Sequence, residues 1–282
     1  PLLMETLLHI SQRQKMLVMM AVLLAMFLSA LDQTIVSTAL PTIVKDFNSL
    51  DRLSWVFTAY MLTSTIIVPI YGKLSDLYGR KGLFMLSIVI FLFGSALCAM
   101  SQHINQLIIF RAIQGIGGGA LMTNAFAIIA DLFVIEERGK WQGIMGGVFG
   151  LSSVFGPILG GWLTDHLSWR WNFYINMPLG ILALLGIFFL MPKIKSSAKD
   201  KSIDYLGAIY LAMGLATLLL AFTWGGTTYA WNSMEILLLF GFSFVTLSFF
   251  ASMEHLVKNP ILPPELFRNP VFSLSSILVF LT

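Results

Sequence analysis

Apolar residues do not alternate along this chain, nor do they recur as a stripe on one helical face. They come in blocks of about twenty, the length a helix needs to cross the hydrocarbon core of a bilayer. The blocks predict spanning helices over 16–40, 53–71, 83–100, 106–133, 142–163, 172–191, 205–224 and 236–253. A ninth begins near Val271 and runs to the last residue. The expected fold is all-α: a polytopic transmembrane bundle of eight full spans plus the start of a ninth. The chain opens on Pro1, with Met4 as a plausible start, and ends inside an apolar run, so it reads as a piece of a longer protein.

Composition agrees with the pattern. Hydrophobic residues make up 57% and charged residues only 11%, against about 25% charged in soluble domains. A sequence pI near 9.0 raises nucleic acid as a partner, but the basic residues lie in short loops rather than along a stripe. The 17 Lys and Arg divide unequally. Arg13, Lys15, Lys73, Arg80, Lys81, Arg138, Lys140, Lys193, Lys195, Lys199, Lys201, Lys258 and Arg268 fall on one side; Lys45, Arg52 and Arg170 fall on the other. The positive-inside rule then puts the N-terminus in the cytoplasm of a multi-pass membrane protein. The Arg13/Lys15 pair before the first run mimics a signal peptide, but the run is too long and lacks a clean cleavage site, so it reads as an uncleaved span.

Two polar, basic stretches divide the chain. The expected organisation is a six-span bundle over 1–191, a cytoplasmic linker over 192–204 and a two-span hairpin over 205–253. A second linker over 254–270 precedes the beginning of a further bundle at 271–282.

Two charges are left deep inside predicted spans, a third, Asp131, lying near the inner end of the fourth. Asp32 lies nine residues before Pro41, ~13 Å below that end at 1.5 Å per residue. Arg111 lies six residues after Asn105, ~9 Å deep by the same rise. An unpaired carboxylate in hydrocarbon costs ~2.5–3.5 kcal/mol on the gentlest scale. The simplest arrangement faces both residues into one polar, wet cavity, where they meet directly or through water. Gln114, one turn from Arg111, can steady its guanidinium. A static ion pair and a working site both fit; the working site is preferred because intramembrane ionisable residues are functional by default.

The fifth span carries Gly143, Gly146, Gly147, Gly150, Gly156, Gly160 and Gly161, with Pro157 beside Gly156. Small residues permit close helix approach, and Pro157 removes a backbone hydrogen bond and permits a bend. GIGGGA (115–120) resembles a phosphate-binding fingerprint only in its letters, since no strand precedes it. GKLSDLYGRKG (72–82) reads as a sharp turn with Gly72 and Gly79 at its bends. Asp76 is placed at the N-terminal end of the third span, where the helix dipole favours an anion. Arg80 and Lys81 face the cytoplasm, and Asp131, near the inner end of the fourth span, is within reach of Arg80. Cys98 reads as a small apolar filler. The four histidines lie at membrane edges on both sides with no metal-ligand spacing, so neither a metal nor another cofactor is implied and a membrane-embedded enzyme is disfavoured.

Taken together, these stretches resemble the major facilitator superfamily. GKLSDLYGRKG is similar to its signature between spans two and three, LIIFRAIQGIGGGA to its span-four signature, and SVFGPILGGWL to its antiporter signature in span five. SALDQTIVSTALPTI and SWRWNFYINMPLG resemble marks of its 14-span drug:proton antiporter branch, as does the arrangement of six spans, then two, then the remainder. Leu77 stands where many members carry a basic residue, and Ser152 where a Gly opens the span-five signature.

The resemblance implies a transporter rather than an enzyme. It would export small, lipophilic, often cationic compounds across the membrane in exchange for protons, by alternating access. An importer of the same fold and a non-transporting sensor are the alternatives. Asp32, Arg111 and Gln114 would form the proton or substrate site. Asp76, Arg80 and Asp131, with Gly72, Gly79 and Lys81 of the loop signature, would form a cytoplasmic latch. Gly156, Pro157, Gly160 and Gly161 would shape the bend. Expected partners are a small-molecule substrate, protons and lipid; no nucleic acid and no obligate protein partner is evident.

Overall fold

The computed structural model describes residues 11–192 and 202–281. The described residues are almost entirely helical: α1 (Gln12–Phe47), α2 (Leu53–Tyr78), α3 (Arg80–Met100), α4 (Ile104–Leu132), α5 (Ile135–His166), α6 (Trp171–Tyr174), α7 (Asn176–Leu190), α8 (Tyr205–Trp224), α9 (Met234–Glu254), α10 (Glu265–Arg268) and α11 (Pro270–Leu281). Eight helical segments, α6 and α7 counting as one, are long and apolar enough to cross a membrane.

Several helices outrun the apolar blocks that predict them. Hydrophobicity marks the part of a helix that lies in hydrocarbon, not the part that is helical. α1 continues through Pro41 to Phe47 and stops where Asn48 takes the left-handed conformation (φ 48°). Its start is capped by Ser11, whose hydroxyl accepts from the Gln14 amide at 3.1 Å. α5 begins seven residues before the predicted position, with Glu136 and Glu137 in its first turn, where the helix dipole favours anions. The sixth span breaks at Ile175, because Pro178 has no N–H to offer the Tyr174 carbonyl.

The chain separates into two units, Pro1–Ala198 and Lys199–Thr282. In the first, α4 packs between α2 and α3, while α1 packs against α5 and α7. The α3–α4 contact is close because glycines face backbone. A Cβ on Gly94 would lie 2.6 Å from the Gln114 Cα, and one on Gly117 would lie 2.6 Å from the Phe91 Cα. The WRW stretch closes one end: Trp169 is buried, donates its indole N–H to Asp46 at 2.7 Å and packs edge-on against Phe47. The Arg170 guanidinium lies over the Trp169 ring and donates to the Ser101 carbonyl.

The second unit is the α8–α9 hairpin with the chain that follows it. Asp204 caps α8 by accepting from the Gly207 amide, and the Ser243 hydroxyl crosses to the Gly214 carbonyl at 2.8 Å. Buried Glu254 accepts from the Ile261 and Leu262 amides, tying down the segment after α9.

Candidate functional site

Asp32, at mid-α1, is fully buried, and so are Arg111 and Gln114 on α4. Asp32 Oδ2 accepts from Arg111 Nη1 at 2.5 Å. Asp32 Oδ1 accepts from Gln114 Nε2 at 2.8 Å and from Asn176 Nδ2 at 3.0 Å. The same Arg111 nitrogen donates to Gln114 Oε1 at 2.7 Å, so the pair and the amide close a ring of hydrogen bonds. The guanidinium also donates from Nε to the Val56 carbonyl at 3.3 Å and sits 4.3 Å above the Tyr60 ring. Tyr60 in turn shares a hydrogen bond with Ser29 on α1 at 3.1 Å.

The structure therefore brings Asp32, Arg111 and Gln114 into one cluster, but not on the wall of an open cavity. Both members of the ion pair have no exposed side-chain surface. Protein amides and an aromatic face solvate the charges where water had been expected. The reason lies in the packing of α4: glycines at 94, 115, 117 and 118 leave no room between it and the neighbouring helices, so its polar residues are drawn inside rather than left on a surface.

Two members of the cluster, Asn176 and Ser95, carry no charge to mark them in the sequence. Asn176 on α7 donates to Asp32 and also to Ser95 Oγ on α3 at 2.8 Å, and Ser95 donates to the Phe173 carbonyl at 2.9 Å. The signal was present: Asn172 and Asn176 stand four residues apart inside an apolar block, one face of a single helical turn. Cys98 is buried, with its Sγ 3.7 Å from Gln114 Oε1. On α2, Tyr60 is an inward ring beneath a cation, whereas Trp55 lines an open crevice of about 600 Å³ with Arg52 and Asn105.

The loop signature differs from expectation. No loop spans 72–82: α2 runs to Tyr78 and α3 starts at Arg80, with Gly79 alone between them at φ 98°. Gly72 is therefore not a bend residue but a helical position facing Thr123. Asp76 lies in the last turn of α2, not at the start of α3, because the helix continues past the apolar block. Its carboxylate meets Arg80 Nη2 at 2.5 Å. Arg80 also holds Asp131 at 2.9 Å and Ser75 Oγ at 2.7 Å, joining α2, α3 and α4. Lys81 turns away from this group. It donates to the Phe188 and Met191 carbonyls and so caps the C-terminal end of α7.

On α5, Gly156 and Gly160 face α1. Their Cβ positions fall on Thr34 and on Ile35 with Thr38 respectively, and the Thr34 hydroxyl donates to the Ser152 carbonyl at 2.9 Å. Gly161, like Gly143, Gly146, Gly147 and Gly150, has open space beside it. Pro157 lies inside a helix that continues to His166. Among the described residues no group of His, Cys, Asp and Glu is placed to hold a metal.

Comparison with known proteins follows the same lines. The family model described as Major Facilitator Superfamily matches residues 22–252. The chain is 48% identical over 266 residues to "Multidrug resistance protein 3" of Bacillus subtilis, covering 94% of this chain and 51% of that protein. It is 44% identical over 271 residues to "Multidrug transporter protein MdtP" of the same organism, covering 95% of this chain and 50% of that protein. The chain thus spans about half the length of these relatives. Among solved structures, the crystal structure of the human organic anion transporter MFSD10 (TETRAN) superposes with a TM-score of 0.60 at 22% identity. That match covers 79% of this chain and 58% of that one, and it carries the fold alone.

Proposed function

We propose, from the premise that the chain belongs to the major facilitator superfamily, that the whole protein exports small lipophilic, often cationic, compounds in exchange for protons. The family is one of membrane transporters, not enzymes. The drug-efflux reading draws support from relatives named for multidrug resistance and multidrug transport. Proton exchange draws support from one observation, the fully buried Asp32–Arg111 pair.

The physical argument concerns charge. Asp32 and Arg111 together are neutral, and of the guanidinium nitrogens only Nη2 lacks a hydrogen-bond partner within the protein. A proton added to Asp32 leaves Arg111 as an unpaired buried cation, and an uncompensated buried charge costs about 3–5 kcal/mol. The bundle then favours an arrangement in which the guanidinium reaches water or another anion. Loss of the proton restores the closed ring. A cationic substrate competing for the same carboxylate would make proton and substrate binding mutually exclusive, which is what exchange requires.

In this reading the lysine- and arginine-rich side, with the N-terminus, faces the cytoplasm of the plasma membrane. Residues 1–191 form one six-span half, 192–204 and 254–270 are cytoplasmic linkers, 205–253 is an inserted hairpin, and 271–282 opens the second half. Arg80, bonded to Asp76 and Asp131, is the cytoplasmic latch; Gly156, Pro157, Gly160 and Gly161 shape the moving contact of α5 with α1.

The test is made on the whole protein in inverted membrane vesicles carrying a proton gradient. Adding ethidium or another lipophilic cation is expected to dissipate the gradient, and a protein that responds to no member of a cation panel overturns the cationic-substrate reading. In the same vesicles Arg80→Ala is expected to slow dissipation several-fold; an unchanged rate counts against the latch.

A further inference from the structure

Asn176 occupies an unusual position in the cluster. Its side chain is fully buried on α7, and both hydrogens of its amide nitrogen are used, one on Asp32 Oδ1 and one on Ser95 Oγ. Its amide oxygen has no hydrogen-bond partner within the protein. An unpaired acceptor away from water costs about 1–3 kcal/mol, and the oxygens of buried Asn124 and Asn172 share that condition. The orientation is nonetheless forced, since an ionised carboxylate only accepts and Asn176 must present its N–H groups to it.

We propose that Asn176 is a positioning residue that reads the protonation state of Asp32: its amide donates to the ionised carboxylate and turns over to accept from the protonated one. The inference rests on Asp32 being the proton site. A protonated Asp32 carries an O–H donor, and its present partners offer no other acceptor. Arg111 only donates. Gln114 Oε1 already accepts from Arg111 Nη1, so turning that amide would break a charge-assisted bond. Asn176 gives up only bonds to groups that are neutral once Asp32 is protonated; its Nδ2 then takes the place where its own Oδ1 now has no partner. A half-turn about its terminal bond puts the unused oxygen where Nδ2 now stands, within reach of both Asp32 and Ser95. The Ser95 hydroxyl then swings from the Phe173 carbonyl to donate to that oxygen. The proton stays on Asp32 throughout; only donor and acceptor roles exchange.

The consequence reaches beyond the carboxylate. Asn176 joins α1 to α3 and α7 through Asp32 and Ser95, and Phe173, on α6, lies against the Arg111 guanidinium. The turnover therefore passes the proton's arrival to the sixth span, which Arg111 does not hydrogen-bond. The charged and titratable groups around the site are Arg111 from α4, Tyr60 from α2 and Cys98 from α3.

The test uses the whole protein reconstituted in lipid, with infrared difference spectra between alkaline and acid pH beside the pH profile of exchange. Asn176→Leu keeps the approximate shape and removes both donor and acceptor; Ser95→Ala is a milder second variant that leaves Asn176 in place. The wild type is expected to show a carboxylic-acid carbonyl band that Asp32→Asn abolishes. In Asn176→Leu that band moves to higher wavenumber, and the exchange profile moves to higher pH by less than about one unit, because the charge-assisted bond donated to the carboxylate is worth more than the neutral bond accepted from the acid. Ser95→Ala moves both in the same direction by less. If the band and the profile stay in place in both variants, Asn176 only packs and the inference is wrong. If Asn176→Leu does not fold, Ser95→Ala decides by the same criterion. If Asp32→Asn abolishes no band and leaves exchange intact, the proton-site reading itself falls and this inference falls with it.

Discussion

Replacing Arg111 with alanine is expected to destabilise the bundle by about 3–5 kcal/mol, the cost of leaving one member of a buried ion pair alone. Asp32 keeps its bonds from Gln114 and Asn176, but two neutral amides do not balance a charge with no exposed surface. Arg111→Lys retains the charge yet loses the planar fork that reaches Asp32, Gln114 and Val56 together, so it is expected to recover only part of the stability. The double variant Asp32→Asn with Arg111→Leu removes both charges and is expected to approach wild-type stability while exchanging nothing. Thermal unfolding of the purified whole protein measures all three. An Arg111→Ala loss below about 1 kcal/mol, the ordinary worth of an exposed pair, would show that the charge is not confined as described.

Gly117→Leu is expected to have the next largest effect. The new Cβ would stand 2.6 Å from the Phe91 Cα. A backbone atom cannot swing aside as a side-chain tip can, so α3 and α4 must separate. Overpacking a core costs typically 1–3 kcal/mol and sometimes more; here the displaced helix also carries Arg111 and Gln114. We expect a sharp fall in folded protein and loss of transport. Gly117→Ala, which adds the Cβ alone, is the milder comparison and is expected to cost less than Gly117→Leu. Monodisperse yield in detergent and the unfolding midpoint separate the two. Equal behaviour of Gly117→Leu and wild type would contradict the close approach.

These two sites also mark how far the residues could be read without coordinates. Eight spans were legible because hydrocarbon demands about twenty apolar residues per helix, and that demand is written into local composition. The meeting of Asp32 with Arg111 was legible because two opposite charges at similar depth have few other solutions. Their burial was not, since it depends on which face of α4 carries Gly94's partner surface and which carries Tyr60, a property of three helices together. Asn176 is not legible for a related reason: a neutral amide near the end of an apolar block does not announce itself by cost, as a charge does. The place of Asp76 is not legible because GKLSDLYGRKG is polar enough to suggest a loop, whereas α2 continues helical to Tyr78 and only Gly79 breaks it. Lys81 was grouped with Arg80 by adjacency, although neighbouring residues of a helix point about 100° apart.

The central claim is that Asp32 carries the proton exchanged for substrate. Its most direct measurement is proton release on adding a transported lipophilic cation to the purified whole protein in weak buffer. Wild type is expected to release protons in step with substrate binding, and Asp32→Asn to release none while remaining folded. Undiminished release from the Asp32→Asn protein would place the exchanged proton elsewhere and leave the buried pair a structural tie between α1 and α4.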